Sequence, residues 1–163
     1  MRTETAKNEL MTVMTTADLL KHWQGHRGLT RRVIEAFPEK ELFNYCIGGM
    51  RPFGEMVMEL LAIAAPGLRE IVTGEQEKYD HDLGISSKSE LLRQWDETTE
   101  IIEQYFPKIR LEQYHQSIKS FGRFESTVIE NIFYFIDNEI HHRGQGYVYL
   151  RSLDIEPPFF WEH

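Results

Sequence analysis

Cysteine occurs once in the 163 residues, at Cys46, so no disulfide can form within the chain. That fits a reducing compartment. No run comes near the ~20 consecutive apolar residues that cross a bilayer. The first ten residues, Met1 to Leu10, are polar and lack the apolar centre of a secretory signal. Cytoplasmic residence without a membrane partner is the resulting expectation. Basic residues are also in deficit: 18 Lys and Arg stand against 26 Asp and Glu, a formal net charge of -8. A phosphate-backbone binder needs a basic face, and the densest basic cluster is the pair Arg31-Arg32. Nucleic acid is therefore not an expected partner. No G-x-S-x-G, P-loop, G-x-G-x-x-G or C-x2-C pattern occurs, which leaves hydrolase-elbow, nucleotide and zinc-ribbon readings without support.

What is present is helical periodicity. The length suits one domain, residues 1–163, with a core of its own. A first helix is predicted from Thr16 to Phe37, capped by Thr15 or Thr16 and stopped by Pro38; Leu19, Leu20, Trp23, Val33 and Ile34 recur along it at helical spacing. Pro38 to Arg51 contains Gly48-Gly49 and reads as a loop. A second helix starts at Pro52, with Met56, Val57, Leu60 and Ile63 on one stripe and a kink or break expected at Pro66-Gly67. Residues 74–85 read as a loop. Ser86 or Ser87 caps a third helix, with Glu90 completing a capping box, and Pro107 ends it. Residues 108–125 fit an extended connection and a short strand pair equally well.

A fourth helix is predicted from about Glu125 or Ser126 to Leu153, with Ile129, Ile132, Phe133, Ile136, Ile140, Tyr147 and Leu150 in its apolar stripe. Gly144 and Gly146 each weaken a helix by about 1 kcal/mol relative to alanine, which points to close approach of a neighbour. The tail Phe159-Phe160-Trp161 is apolar enough to need cover from the bundle or from a second copy of the chain. Four long helices with mid-sized connections make an all-α, antiparallel four-helix bundle the expected fold.

Two segments carry a family resemblance. His141-His142-Arg143-Gly144-Gln145, then Tyr147-Val148-Tyr149-Leu150-Arg151 and Pro157-Pro158, resembles the closing segment of the DinB family. Arg51-Pro52-Phe53-Gly54-Glu55 is similar to that family's second-helix entry, and the likeness runs from about His22 to Trp161. It implies an up-down-down-up bundle, often dimeric, and the chemistry of metal-dependent thiol S-transferases and thiol-dependent isomerases. Such members hold a divalent metal with one histidine of the second helix and an H-x3-H pair of the fourth. The corresponding residues here are Glu59, Asn138 and His142, so only His142 keeps the family's ligand type. The resemblance implies a metal site at these three residues, for zinc, nickel, manganese or iron, and a small-molecule or thiol substrate. It names no catalytic residue.

The residues themselves leave alternatives open. Asn138 and His142 are four apart and share a helix face, and Glu59 flanks the second helix's stripe. These three could bind a metal, or Glu59 and His142 could form a hydrogen-bonded pair in a degenerate, metal-free protein that binds a small ligand. His141 is read as a surface or interface residue. Glu139 reads as an i,i+4 partner of Arg143, with a supporting role toward His142 as the other option. His22 and His26 have metal-ligand spacing but read as structural. Arg27 reads as exposed, or else as an anion clamp. Cys46 has no neighbouring His or Lys to activate it.

Overall fold

The computed structural model describes residues 13–163, and the polar stretch Met1 to Leu10 lies outside the described residues. The fold is predominantly helical. Helix α1 spans Thr16–Ala36, α2 Glu39–Asn44, α3 Phe53–Thr73, α4 Lys88–Tyr105 and α5 Val128–Ser152. Thr15 opens α1 with a full capping box: its hydroxyl accepts from the Asp18 N–H at 3.1 Å, and the Asp18 carboxylate accepts from the Thr15 N–H at 2.9 Å. The short α2 lies inside the segment expected to be a loop. Pro38 starts it as well as stopping α1, and its Leu42 is fully buried.

Helix α3 runs through Pro66 without ending. A proline inside a helix costs about 3 kcal/mol. Continuing the helix buries Leu68 and Ile71 and sets Gly67 beneath the Phe135 ring, where an added Cβ would lie 2.6 Å from Cζ. At the start of α4 only half of the expected box forms. Ser87 accepts from the Glu90 N–H, while the Glu90 carboxylate turns to Arg93 and Gln94.

Between α4 and α5 the chain makes two 3-10 turns, Phe106–Lys108 and Leu111–Gln113. It then forms an antiparallel strand pair, β1 Ser117–Ser120 and β2 Phe124–Thr127. The strand-pair option is thus the one realised, turned by Phe121 and Gly122 at φ 53° and 65°. The cap of α5 is Thr127, one or two residues later than expected, because Glu130 completes its box by accepting from the Thr127 N–H at 2.8 Å.

Helices α1 and α3 each pack on both α4 and α5. Two apolar clusters result. One joins Leu20 and Trp23 of α1, Leu68 of α3, Ile102 of α4 and Ile132 of α5. The other joins Ile34, Val57, Trp95 and Leu150 of the same four helices. Between them, at mid-height, lies a layer of buried polar residues, Arg27, Thr30, Glu139 and Arg143.

Candidate functional site

Helix α5 supplies two polar pairs, one turn deep, to two different neighbours. Asn138 and His142 face α3, whereas Glu139 and Arg143 face α1. Adjacent residues on a helix diverge by about 100°, and i,i+4 pairs stay together. The four-residue spacing therefore builds two sites at the same height.

The first site is the one the sequence singled out. His142 Nε2 lies 3.3 Å from Glu59 Oε1, and Asn138 Nδ2 lies 3.4 Å from the same oxygen. Arg51 donates to Glu59 Oε2 at 2.5 Å, from the loop that precedes α3. Tyr149 fixes that loop by donating its hydroxyl to the Arg51 carbonyl at 2.9 Å. The Glu59 and His142 side chains are mostly buried, at 13% and 8% exposure. The hydrogen bond from His142 and the Arg51 guanidinium hold the Glu59 carboxyl down at about 2, against the opposing effect of burial. On the far side of the ring, His142 Nδ1 meets Gln145 Oε1 at 3.3 Å, and Gln145 Nε2 meets exposed His141 at 3.1 Å.

The donor set fits a divalent ion of mixed oxygen and nitrogen preference. To hold an ion, His142 would keep its proton on Nδ1, toward Gln145, and give up the Nε2–H that donates to Glu59, which frees the Nε2 lone pair. Two donors on one tetrahedral ion with bonds of about 2.1 Å lie roughly 3.4 Å apart, close to the observed 3.3 Å. Turning the Asn138 amide over would present Oδ1 in the same direction. The Arg51 contact occupies the other carboxylate oxygen and orients Glu59, as outer partners of ligating carboxylates do.

The second site is a closed network that the sequence reading missed. Arg27 is fully buried, not exposed. Its Cζ lies 3.4 Å from the Trp95 ring centroid, Nη2 donates to the Trp95 carbonyl at 2.9 Å, and Nε donates to Thr99 at 3.0 Å. Glu139 accepts from the Thr30 hydroxyl at 2.6 Å and lies 3.9 Å from Arg27 and 3.8 Å from Arg143. The Glu139–Arg143 pairing therefore exists, but inside the protein and shared with Arg27. The Trp23 indole N–H and Arg27 Nη1 complete no hydrogen bond in this network, although Nη1 is the Arg27 atom that pairs with Glu139. A signal was available: Trp23, Arg27, Thr30 and Ile34 run along one stripe of α1, and Ile132, Ile136, Glu139 and Arg143 along one stripe of α5. Charged residues in register with an apolar stripe are buried with it.

A third cluster joins α1 to the end of the described chain. One ring nitrogen from each of His22, His26 and His163 falls within 4.8 Å of the others. His163 stacks on His26 with centroids 4.2 Å apart, and Gly25 leaves the room, since a Cβ there would lie 2.8 Å from the His163 carbonyl carbon. Arg143 Nη2 lies 2.9 Å from His26 Nδ1. A guanidinium only donates, so Nδ1 accepts and the His26 proton sits on Nε2, aimed at His22 Nε2 3.1 Å away. In that tautomer the triad offers two lone pairs rather than three. Burial and the facing charges of Arg143, His163 and His22 push the His26 imidazole down to about 3.

The remaining expectations divide. Phe133 and Ile140 are exposed rather than in the core stripe, beside Val148. Gly146 receives the Phe53 ring as a close neighbour should, whereas Gly144 meets nothing within 4 Å. Phe159, Phe160 and Trp161 remain half or more exposed, and the tail is pinned instead by an Arg32–Glu162 ion pair at 3.0 Å. Cys46 is exposed. Among the described residues, no helix is long and apolar enough to cross a membrane.

Solved structures share this architecture. A DinB-like protein from Bacillus cereus superposes with a TM-score of 0.73 at 14% identity, over 89% of this chain and 97% of its own. A DinB-like protein from Bacillus subtilis does so with a TM-score of 0.68 at 19% identity, over 89% and 99%. No curated protein matches the sequence. The model of the DinB family matches residues 10–161. The chain belongs to the DinB family.

Proposed function

We propose that this protein is a divalent-metal-dependent enzyme whose ion is held by Glu59, Asn138 and His142, acting in the transfer of a low-molecular-weight thiol to an electrophile. The observation that carries the reading is the meeting of these three side chains, from α3 and α5, at 3.3 and 3.4 Å around one carboxylate oxygen. A bound divalent ion supplies a lowered pKa to a coordinated thiol or water. The chain's own part is positional. Gln145 would accept the Nδ1–H of His142 and so leave Nε2 for the ion, while Arg51 orients Glu59 and helps keep its carboxyl anionic throughout the neutral range. The bundle that carries the site is read as up-down-down-up. This rests on the first apolar cluster holding the start of α1 and α5 but the end of α3 and α4.

Calorimetric titration of manganese, zinc and nickel tests the site. His142→Ala is expected to weaken binding about 100-fold or more by removing the one imidazole. Glu59→Gln is expected to weaken it by removing the anion, and Asn138→His to strengthen it. Equal affinity in wild type and His142→Ala would remove this site from consideration. The ion pair of Arg51 with Glu59 favours a second reading, in which the site is degenerate and the bundle is a metal-free binding protein. Absence of binding by every variant except Asn138→His would select it.

A homodimer in the cytoplasm completes the proposal. Phe133, Ile140 and Val148 line one outward face of α5, with Gly144 open between them, and Phe159 stacks on Trp161 nearby in sequence at 4.7 Å. Sedimentation velocity at micromolar concentration is expected to give a dimer, and Ile140→Glu a monomer. A wild-type monomer of 19.3 kDa would sink this part.

A further inference from the structure

A cavity of about 500 Å³ opens between the β-hairpin, α5 and the connection that follows α3, within the size range of small-molecule sites. Five aromatic rings line it: Tyr79, Phe121, Phe124, Tyr134 and Phe135. It continues the candidate site. Ile63, on its wall, is one helical turn beyond Glu59, and Tyr134 is one turn before Asn138. Burial pushes both the Tyr79 and Tyr134 hydroxyls upward, and the charge of Glu59 adds to each.

The polar groups of the wall are mostly spent on one another. Ser120 donates to Asn131 at 2.8 Å, Asn131 donates to Ser126 at 2.6 Å, and Glu130 caps Thr127. Glu125 stands directly across the hairpin from Lys119. Ring faces, the two phenol hydroxyls and the Arg123 guanidinium are left for a ligand. Among the described residues Arg123 makes no ion pair, and it stands 5.9 Å from the Tyr79 ring at the rim. Phe124 and Tyr134 are about half exposed, so their faces are open to a partner.

We propose that this cavity binds the electrophilic substrate, and that the substrate is a planar aromatic molecule carrying a carboxylate, with its ring between Phe124 and Tyr134 and its anion on Arg123. The role as substrate site rests on the proposed metal centre at Glu59 and His142, whereas binding itself does not. The ring supplies the stacking surface, and the guanidinium distinguishes an anion from a neutral analogue.

The test uses 2-naphthoate, its uncharged analogue 2-naphthamide and the aliphatic anion decanoate, followed by ligand fluorescence or protein amide shifts. Naphthoate is expected to bind most tightly. Arg123→Gln, a change at an exposed turn position, should weaken naphthoate about tenfold and leave naphthamide unchanged. Tyr134→Ala should weaken both aromatics while a melting curve reports an intact fold. His142→Ala should leave naphthoate binding as it is, so that failure of the metal titration and failure of this cavity are read separately. Equal affinity for naphthoate and naphthamide would overturn the anion assignment. Tighter binding of decanoate than naphthoate would overturn the aromatic one, and no binding of any probe at millimolar concentration would overturn the site.

Discussion

Glu139→Gln is expected to lower the melting temperature by roughly 10 °C, the largest effect of any single exchange considered. Glu139 is 1% exposed and lies 3.9 and 3.8 Å from two guanidiniums that are themselves buried, Arg27 and Arg143. Burial pushes its carboxyl upward, while Arg27, Thr30 and Arg143 draw it down. Burial lowers Arg27 to about 10, which still leaves it charged at neutral pH. A neutral Glu139 would leave two buried cations without an anion, so the ionised form is the one that closes the network. Glutamine keeps the bond from Thr30 but removes the counter-charge and sets new N–H donors against guanidinium donors. Breaking a buried pair in this way costs about 3–5 kcal/mol, and each kcal/mol is worth about 2–4 °C in a chain of this size. Replacing all three together, Arg27→Met with Glu139→Leu and Arg143→Met, should recover much of the loss, because no charge then remains to be compensated. A Glu139→Gln melting curve that overlays the wild type would refute the network as a source of stability.

The second large effect is a loss of stability on mild acidification, carried by His26. Its imidazole is held down to about 3, against 6.5 for the free group, by burial first and then by Arg143, His163 and His22. Between those two values the unfolded chain binds a proton that the folded chain refuses, so stability rises with pH across the window and is fully present above about 6.5. It is lost as pH falls, at up to about 1.4 kcal/mol per pH unit. The stacked His163 is solvent-facing, which makes that slope an upper limit. From pH 7 to pH 5 the melting temperature should drop by about 4–8 °C. His26→Gln, which offers Arg143 an acceptor without a titrating proton, should flatten the profile. Glu59 acts in a separate and lower window: its carboxyl is depressed to about 2, so its contribution is lost only below about 4.5. An unchanged acid slope in His26→Gln would remove His26 as the cause.

Local chemistry wrote most of the helical outline into the sequence. Thr15 with Asp18, Pro38, Pro52 and Ser87 mark helix ends because capping and proline geometry act within four residues. Three boundaries were read otherwise for physical reasons. The α2 turn is held by burial of Leu42, the break allowed at Pro66 is not realised because Leu68 and Ile71 are buried beyond it, and α5 is capped by Thr127 rather than Glu125 or Ser126 because Glu130 closes that box. The meeting of Glu59 with Asn138 and His142 was approachable from i,i+4 spacing and a family likeness.

Which polar residues would be buried was settled elsewhere. The i,i+4 spacing of Glu139 and Arg143 fits an exposed ion pair as well as an internal one, and only the packing of α1 against α5 placed it inside with Arg27 and Thr30. The same holds for His163, which no local pattern connects to His26, 137 positions earlier, and for Arg51, whose bond to Glu59 depends on a loop pinned by Tyr149. The sequence by itself determined the four long helices and most of their ends, since those follow from interactions within one or two turns. The tertiary structure alone decided which faces meet, because long-range packing chooses which charges lose their water, and that loss is what turns a surface residue into part of a site.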